Sequence, residues 1–102
     1  MSLISDSGIR VEDDGAKWVM WGEVDTAVQV RSEAEIARCN AHSAIPITID
    51  LTRVTFMDSG GLRLLYQAAI RSPEPPILLN PARGVRDLLE VSDAVGLFRF
   101  QS

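Results

Sequence analysis

Ile45-Pro46-Ile47-Thr48-Ile49-Asp50-Leu51 is followed, after a connecting stretch from Thr52 to Met57, by Asp58-Ser59-Gly60-Gly61-Leu62-Arg63-Leu64-Leu65-Tyr66-Gln67-Ala68-Ala69-Ile70-Arg71-Ser72. The first run is apolar and β-branched, with Pro46 at its start. That is the pattern of a central strand covered on both faces. In the second run Leu62, Leu65, Ala68 and Ala69 recur at helical spacing, with Leu64 beside them, which predicts a helix over Gly60–Ser72. Ser72-Pro73-Glu74-Pro75-Pro76 cannot continue that helix. Ile77-Leu78-Leu79 then reads as a short parallel strand, Asn80-Pro81 as a turn and Val85–Val91 as another helix. Gly96–Phe100 closes the chain as an edge strand. Strands alternating with helices imply a mostly parallel sheet joined by crossover helices.

Upstream of this unit, Ile9-Arg10-Val11-Glu12 alternates with period two and predicts a strand. Asp13-Asp14-Gly15 marks a tight turn, and Lys17-Trp18-Val19-Met20-Trp21 is a second strand, so the chain opens on a hairpin. Trp18 and Trp21 are three apart and fall on opposite faces of an ideal strand. One belongs to the core; the other is covered either by the N-terminal tail or by a partner. Gly22-Glu23-Val24-Asp25-Thr26 breaks the strand, and Asp25 or Thr26 caps the next helix. That helix runs from about residue 27 to Ala41, with Ala27, Val30, Ala34, Ala37 and Ala41 on its buried face. The expected fold is one α/β domain over residues 1–102. It has a mixed, mostly parallel sheet of four to five strands with helices packed on it and an opening hairpin, and residues 1–7 are flexible.

The chain has 102 residues, 46% hydrophobic and 24% charged, enough for one core without disulfides or metal. The net charge is −4, and the bases comprise Lys17 and nine scattered arginines. No basic stripe forms, which argues against a nucleic-acid or anionic-membrane surface. The single cysteine, Cys39, excludes an internal disulfide and a Cys-rich metal site and reads as a half-buried small hydrophobe. No apolar run reaches the ~18 residues of a membrane span, and the N-terminus lacks a signal-peptide pattern. A cytoplasmic location is expected.

Few residues carry recognisable chemistry. His42, alone near the predicted end of the first helix, reads as a solvated residue complementing the helix dipole, and without a second histidine no zinc site is expected. The phosphate-binding glycine patterns are absent, and Ser59 is not in a nucleophile-elbow context, so no catalytic residue or cofactor is expected. The informative segment is Val54–Leu62, which joins the central strand to the second strong helix. In parallel sheets function gathers at the carboxyl ends of strands, where helix N-termini point. Two readings stand for Asp58-Ser59-Gly60-Gly61: a helix cap with a tight turn, or a functional site at a helix start.

The residues Ile47–Leu51 and Phe56-Met57-Asp58-Ser59-Gly60-Gly61-Leu62 resemble the signature of STAS domains, and more narrowly of the bacterial anti-sigma factor antagonists. Gly22-Glu23-Val24-Asp25 resembles the family's G-E-[LV]-D segment. Val85–Val91 resembles its last helix, and Gly96-Leu97-Phe98 a shortened form of its ending. The resemblance covers nearly the whole chain, in the right order. Two departures stand out. The family often has a small polar residue where this chain has Gly60, and residues 25–30 lack the family's usual helix-starting pattern.

The resemblance implies a switch without catalysis. The family's serine is phosphorylated by a partner anti-sigma factor, a serine kinase of the histidine-kinase-like ATPase fold, and restored by a PP2C-type phosphatase. The unphosphorylated antagonist binds the kinase and frees the sigma factor. Here the matching serine is Ser59, flanked by Asp25 and Asp58, and the expected partner surface comprises Asp25, Asp58, Ser59, Gly60, Leu62, Arg63 and Tyr66. Arg63, Tyr66, Gln67 and Ile70 are expected to face away from the apolar stripe of their helix. Arg63 either pairs with Asp58 or an incoming phosphate, or is simply solvated. Two rival readings keep the fold: a stand-alone subunit regulating a transporter or signalling assembly, and a domain binding a nucleotide at the Ser59 helix start.

Overall fold

A computed structural model describes residues 6–38 and 44–102. Five strands, β1 (Gly8–Glu12), β2 (Lys17–Val24), β3 (Thr48–Met57), β4 (Ile77–Leu79) and β5 (Arg99–Gln101), form one sheet in the order β1-β2-β3-β4-β5. β1 pairs antiparallel with β2, and the other neighbours are parallel. Helices α1 (Thr26–Arg38), α2 (Ser59–Arg71) and α3 (Arg83–Val91) make the crossovers. Four parallel strands laid down in sequential order, joined by right-handed crossovers, put all three helices on one face of the sheet.

Burial along the strands agrees with that arrangement. Ile9, Trp18, Met20, Val24, Ile49, Leu51, Val54, Met57 and Leu78 are buried under the helices, while Arg10, Arg53 and Thr55 are exposed. The central strand is therefore covered on one face only, not on both: Thr48 and Asp50 are half-exposed where a doubly covered strand would be apolar.

The opening hairpin forms as expected, turning through Asp13, Asp14 and Gly15, all three with positive φ. β2 is longer than expected. It does not break at Gly22 but runs through it to Val24, because a register shift between Gly22 and Glu23 absorbs the irregularity. Gly22 has φ +72°, and a Cβ there would collide with the backbone of Asp6 and Ser7. Ser7 is tied down from both sides: its Oγ accepts from the Glu23 amide at 2.9 Å and its carbonyl accepts from Arg31 at 2.7 Å. Trp18 is the core tryptophan, 1% exposed, with its indole N–H donating to the Gly15 carbonyl at 3.0 Å. Trp21 lies on the open face beside its cross-strand partner Gly8, where a Cβ would stand 2.8 Å from the indole. With Asp6, Arg10, Val19, Gly22, Arg53 and Thr55 it lines an open cleft of about 590 Å³.

The first helix buries a different face from the expected one. Ala27, Val30, Ala34 and Ala37 point to solvent, and Val28, Gln29, Ser32 and Ile36 point inward. Val28 and Ile36 remove more apolar area from water than the alanines would, at about 1.5–3 kcal/mol for each fully buried large side chain against about 0.8 per methylene. Of the two polar residues on the buried face, Gln29 donates its side-chain amide to Glu33. On the flank of α1, Glu35 accepts the Val11 amide at 3.3 Å and so occupies a donor of the edge strand β1. The predicted final turn of α1, with Cys39, Ala41 and His42, lies outside the described residues.

β3 extends to Met57, so Thr52–Met57 is strand rather than connection. β4 matches its expected limits, and α2 and α3 match theirs within two residues. α2 packs Leu62, Leu64, Leu65 and Ala68 into the core, as its spacing predicts. α3 buries Val85 and Leu89 and sets Arg86 over the Phe100 ring at 4.9 Å. At the end of the chain Gly96 and Leu97 belong to a 3-10 turn, and only Arg99–Gln101 forms the edge strand. No helix among the described residues is long and apolar enough to cross a membrane.

Candidate functional site at two adjoining helix starts

Adjacent strands β2 and β3 end in step, with Val24 registered against Met57. Each is followed by an aspartate and then by a helix whose first residue carries a hydroxyl: Asp25-Thr26 begins α1 and Asp58-Ser59 begins α2. Both aspartates cap. Asp25 Oδ1 accepts from the Val28 amide at 3.1 Å, and Asp58 Oδ1 accepts from the Gly60 amide at 2.8 Å. Each also closes the first helical turn through its carbonyl, to Gln29 at 2.9 Å and to Leu62 at 3.0 Å. The Asp58 amide reaches the Val24 carbonyl at 3.4 Å and links the two strand ends.

The two helix starts touch because glycines allow it. A Cβ on Gly60 would lie 2.5 Å from the amide nitrogen and the Cα of Thr26 and 2.7 Å from the Asp25 carbonyl carbon. A Cβ on Gly61 would collide with the Val24 carbonyl oxygen and the Met57 side chain. Gly60, read from sequence as a departure from the family pattern, is thus the residue that lets the start of α2 lie against the backbone of α1. Its role here is close approach, since its φ is not positive.

Ser59 sits just past this contact as the first residue of α2 and is exposed. Asp58 supplies the cap, and among the described residues the Ser59 hydroxyl makes no hydrogen bond. Arg63, one turn further, is also exposed and forms no ion pair with Asp58, whereas Arg10 pairs with Glu12 and Arg99 with Glu74. The Asp58 pairing is therefore not formed, and Arg63 is solvated in the unmodified chain.

Other expected surface residues lie differently. Leu62 is 8% exposed and belongs to the core stripe, so it offers a partner little surface. Tyr66 is half-buried and packs against the core rather than projecting away from it. Gln67 turns toward α1, where it accepts two hydrogen bonds from Arg71 and lines a cleft of about 200 Å³ with Gln29, Glu33, Ile36, Ala37, Leu64 and Arg71. Ile70 is exposed, as expected. Neither this cleft nor the one on the open sheet face includes Ser59.

Asp50, on β3, is the described residue whose titration is clearly displaced. Hydrogen bonds from the Thr52 side chain and amide, the latter at 3.0 Å to Oδ1, hold its carboxyl below the ordinary 3.8, and the positive charges of Lys17 and Arg53 act in the same direction. It lies on the strand, away from the helix starts, and was not singled out from sequence.

The architecture, a five-stranded mixed sheet with one antiparallel pair and three crossover helices, is shared with a solved anti-sigma factor antagonist. Among solved structures, the anti-sigma factor antagonist SpoIIAA in its unphosphorylated form is similar to this chain, with a TM-score of 0.55 and 19% identity. The match covers 94% of this chain and 87% of that one. At this identity the likeness is one of fold. No protein-family model and no curated protein matches the sequence.

Proposed function

We propose that this domain is a phosphorylation-switched protein-binding module that antagonises an anti-sigma factor. Unphosphorylated, it sequesters an anti-sigma serine kinase of the histidine-kinase-like ATPase fold and so frees a sigma factor. Phosphorylated on Ser59, it releases the kinase, and a PP2C-type phosphatase resets it. The observation that carries this reading is the division of labour at the start of α2. Asp58 caps the helix, which leaves the Ser59 hydroxyl exposed and unengaged among the described residues.

A phosphate there adds about −1.5 to −2 charge at neutral pH. The first turn of a helix tolerates an anion, because its dipole and free N–H groups favour negative charge. The fold is thus retained and the effect falls on the interface. A surface already holding Asp25 and Asp58 gains a further anion, and a partner fitted to a hydroxyl meets charge in its place. The fold likeness to an anti-sigma factor antagonist supports the same class of partner.

The test is a paired capture from lysate of the native host with Ser59→Ala and Ser59→Asp baits, followed by mass spectrometry. The expected result is an ATPase-fold kinase on the Ala bait and its loss from the Asp bait. Equal capture of one transporter or scaffold by both baits would overturn the switch and favour a subunit indifferent to Ser59.

A further inference from the structure

We infer that the Arg63 guanidinium is the built-in acceptor of a phosphate carried by Ser59, an inference that rests on the phosphorylation reading above. Residues 59 and 63 are four apart on α2, so they are neighbours on the same face, with Cβ atoms about 5–6 Å apart. Both are exposed, so neither side chain has to leave the core for the pair to form. The acid-first, base-later order is the favourable one on a helix. A guanidinium presents a planar fork that matches two phosphate oxygens, which makes such pairs stronger than a point-charge contact.

The surroundings leave this role to Arg63. It is the sole base in the first two turns of α2, and the first turn of α1 has none. The next base along α2, Arg71, is bound to Gln67. The acids at the two helix starts are Asp25 and Asp58, both engaged as helix caps. Each opposes a phosphate at Ser59, and Arg63 is the cation on these two helix starts that offsets them. Without phosphate, Arg63 is uncommitted to any carboxylate among the described residues and is available to a partner. With phosphate it is drawn back along its own helix. Modification then changes the surface twice, adding an anion and withdrawing a cation.

The experiment uses the full chain with phosphoserine installed at position 59 during synthesis, so it does not depend on any cellular kinase. The second ionisation of the phosphate is followed by phosphorus NMR in the parent chain, Arg63→Gln and Arg63→Lys, with amide spectra verifying that each is folded. The parent chain should titrate about 0.15–0.4 pH unit below Arg63→Gln, with Arg63→Lys in between. The difference should collapse in about 1 M salt, where the screening length is about 3 Å. Equal midpoints in the parent chain and Arg63→Gln overturn the inference. Failure of the switch itself would show separately, as equal capture by the Ser59→Ala and Ser59→Asp baits.

Discussion

Replacing Gly60 by alanine adds one methyl group at the point where two helix starts meet. The new carbon would stand 2.5 Å from two backbone atoms of Thr26 and 2.7 Å from the Asp25 carbonyl carbon. Backbone cannot swing aside as a side-chain tip can, so α1 and α2 must move apart or the first turn of α2 must distort. Overpacking of this kind costs about 1–3 kcal/mol. Alanine returns up to about 1 kcal/mol through its better helix propensity, less at a first turn. The net expectation is a loss of about 1–2 kcal/mol, and for a domain of this size a melting temperature lower by about 5–15 °C. Gly84→Ala is the matched control. Gly84 also lies in the first turn of a helix, α3, but a Cβ there meets nothing within 4 Å. The same substitution should stabilise by about 0.5–1 kcal/mol. Urea titration followed by tryptophan fluorescence reports both, since Trp18 is buried and becomes exposed on unfolding. If Gly60→Ala is as stable as the parent chain, or if both variants shift the same way, close helix approach is not what Gly60 provides.

The caps separate charge from hydrogen bonding. Asp58→Ala and Asp25→Ala should each lose about 1 kcal/mol in the same urea titration, while Asp58→Asn, which keeps an accepting oxygen, should lose much less. Asp50 makes a pH-dependent contribution. Its folded-state pKa is depressed below 3.8, so the stabilisation is present above that value and is lost as pH falls through the lower, folded-state one. Asp50→Asn should therefore flatten the acid limb of stability below about pH 4, and an unchanged limb would refute the assignment. Deleting core contacts on the site's own helix sets a reference scale: Leu65→Ala should cost about 2–5 kcal/mol by thermal melting, because Leu65 is fully buried.

The elements that could be read from sequence were those whose pattern has one answer. α2 carries large leucines at helical spacing between an aspartate and a proline-rich stop, and both its limits and its buried stripe follow. α1 had two answers. Its alanines recur at helical spacing, but alanine is neutral between core and solvent, and the face that packs includes Gln29 and Ser32. What decides the packing is the area of Val28 and Ile36 together with the helix's flank on β1, a tertiary fact. β3 looked shorter than it is because Thr52, Arg53, Thr55 and Phe56 are exposed in pairs, which breaks the period-two signal in its second half. The register shift beside Gly22 in the partner strand accompanies that break. At the site, Asp58, Ser59 and Asp25 were legible as polar residues at strand ends. The closeness of the two helix starts was not, since a Gly-Gly pair does not say what stands opposite it.

Val24 and Met57, the last residues of β2 and β3, are both buried, and their strands are locked together by a ladder that ends in the Asp58–Val24 hydrogen bond. Ser59 is therefore mounted directly after the joined ends of two adjacent strands. On the proposed phosphorylation reading, a module built this way would store its history in a single covalent bond at Ser59. On that reading no refolding would follow loss of the phosphate, and the signal should decay as fast as a phosphatase works. Any delay or persistence in the response would have to be supplied by the enzymes that write and erase the mark, or by the lifetime of the complexes that read it.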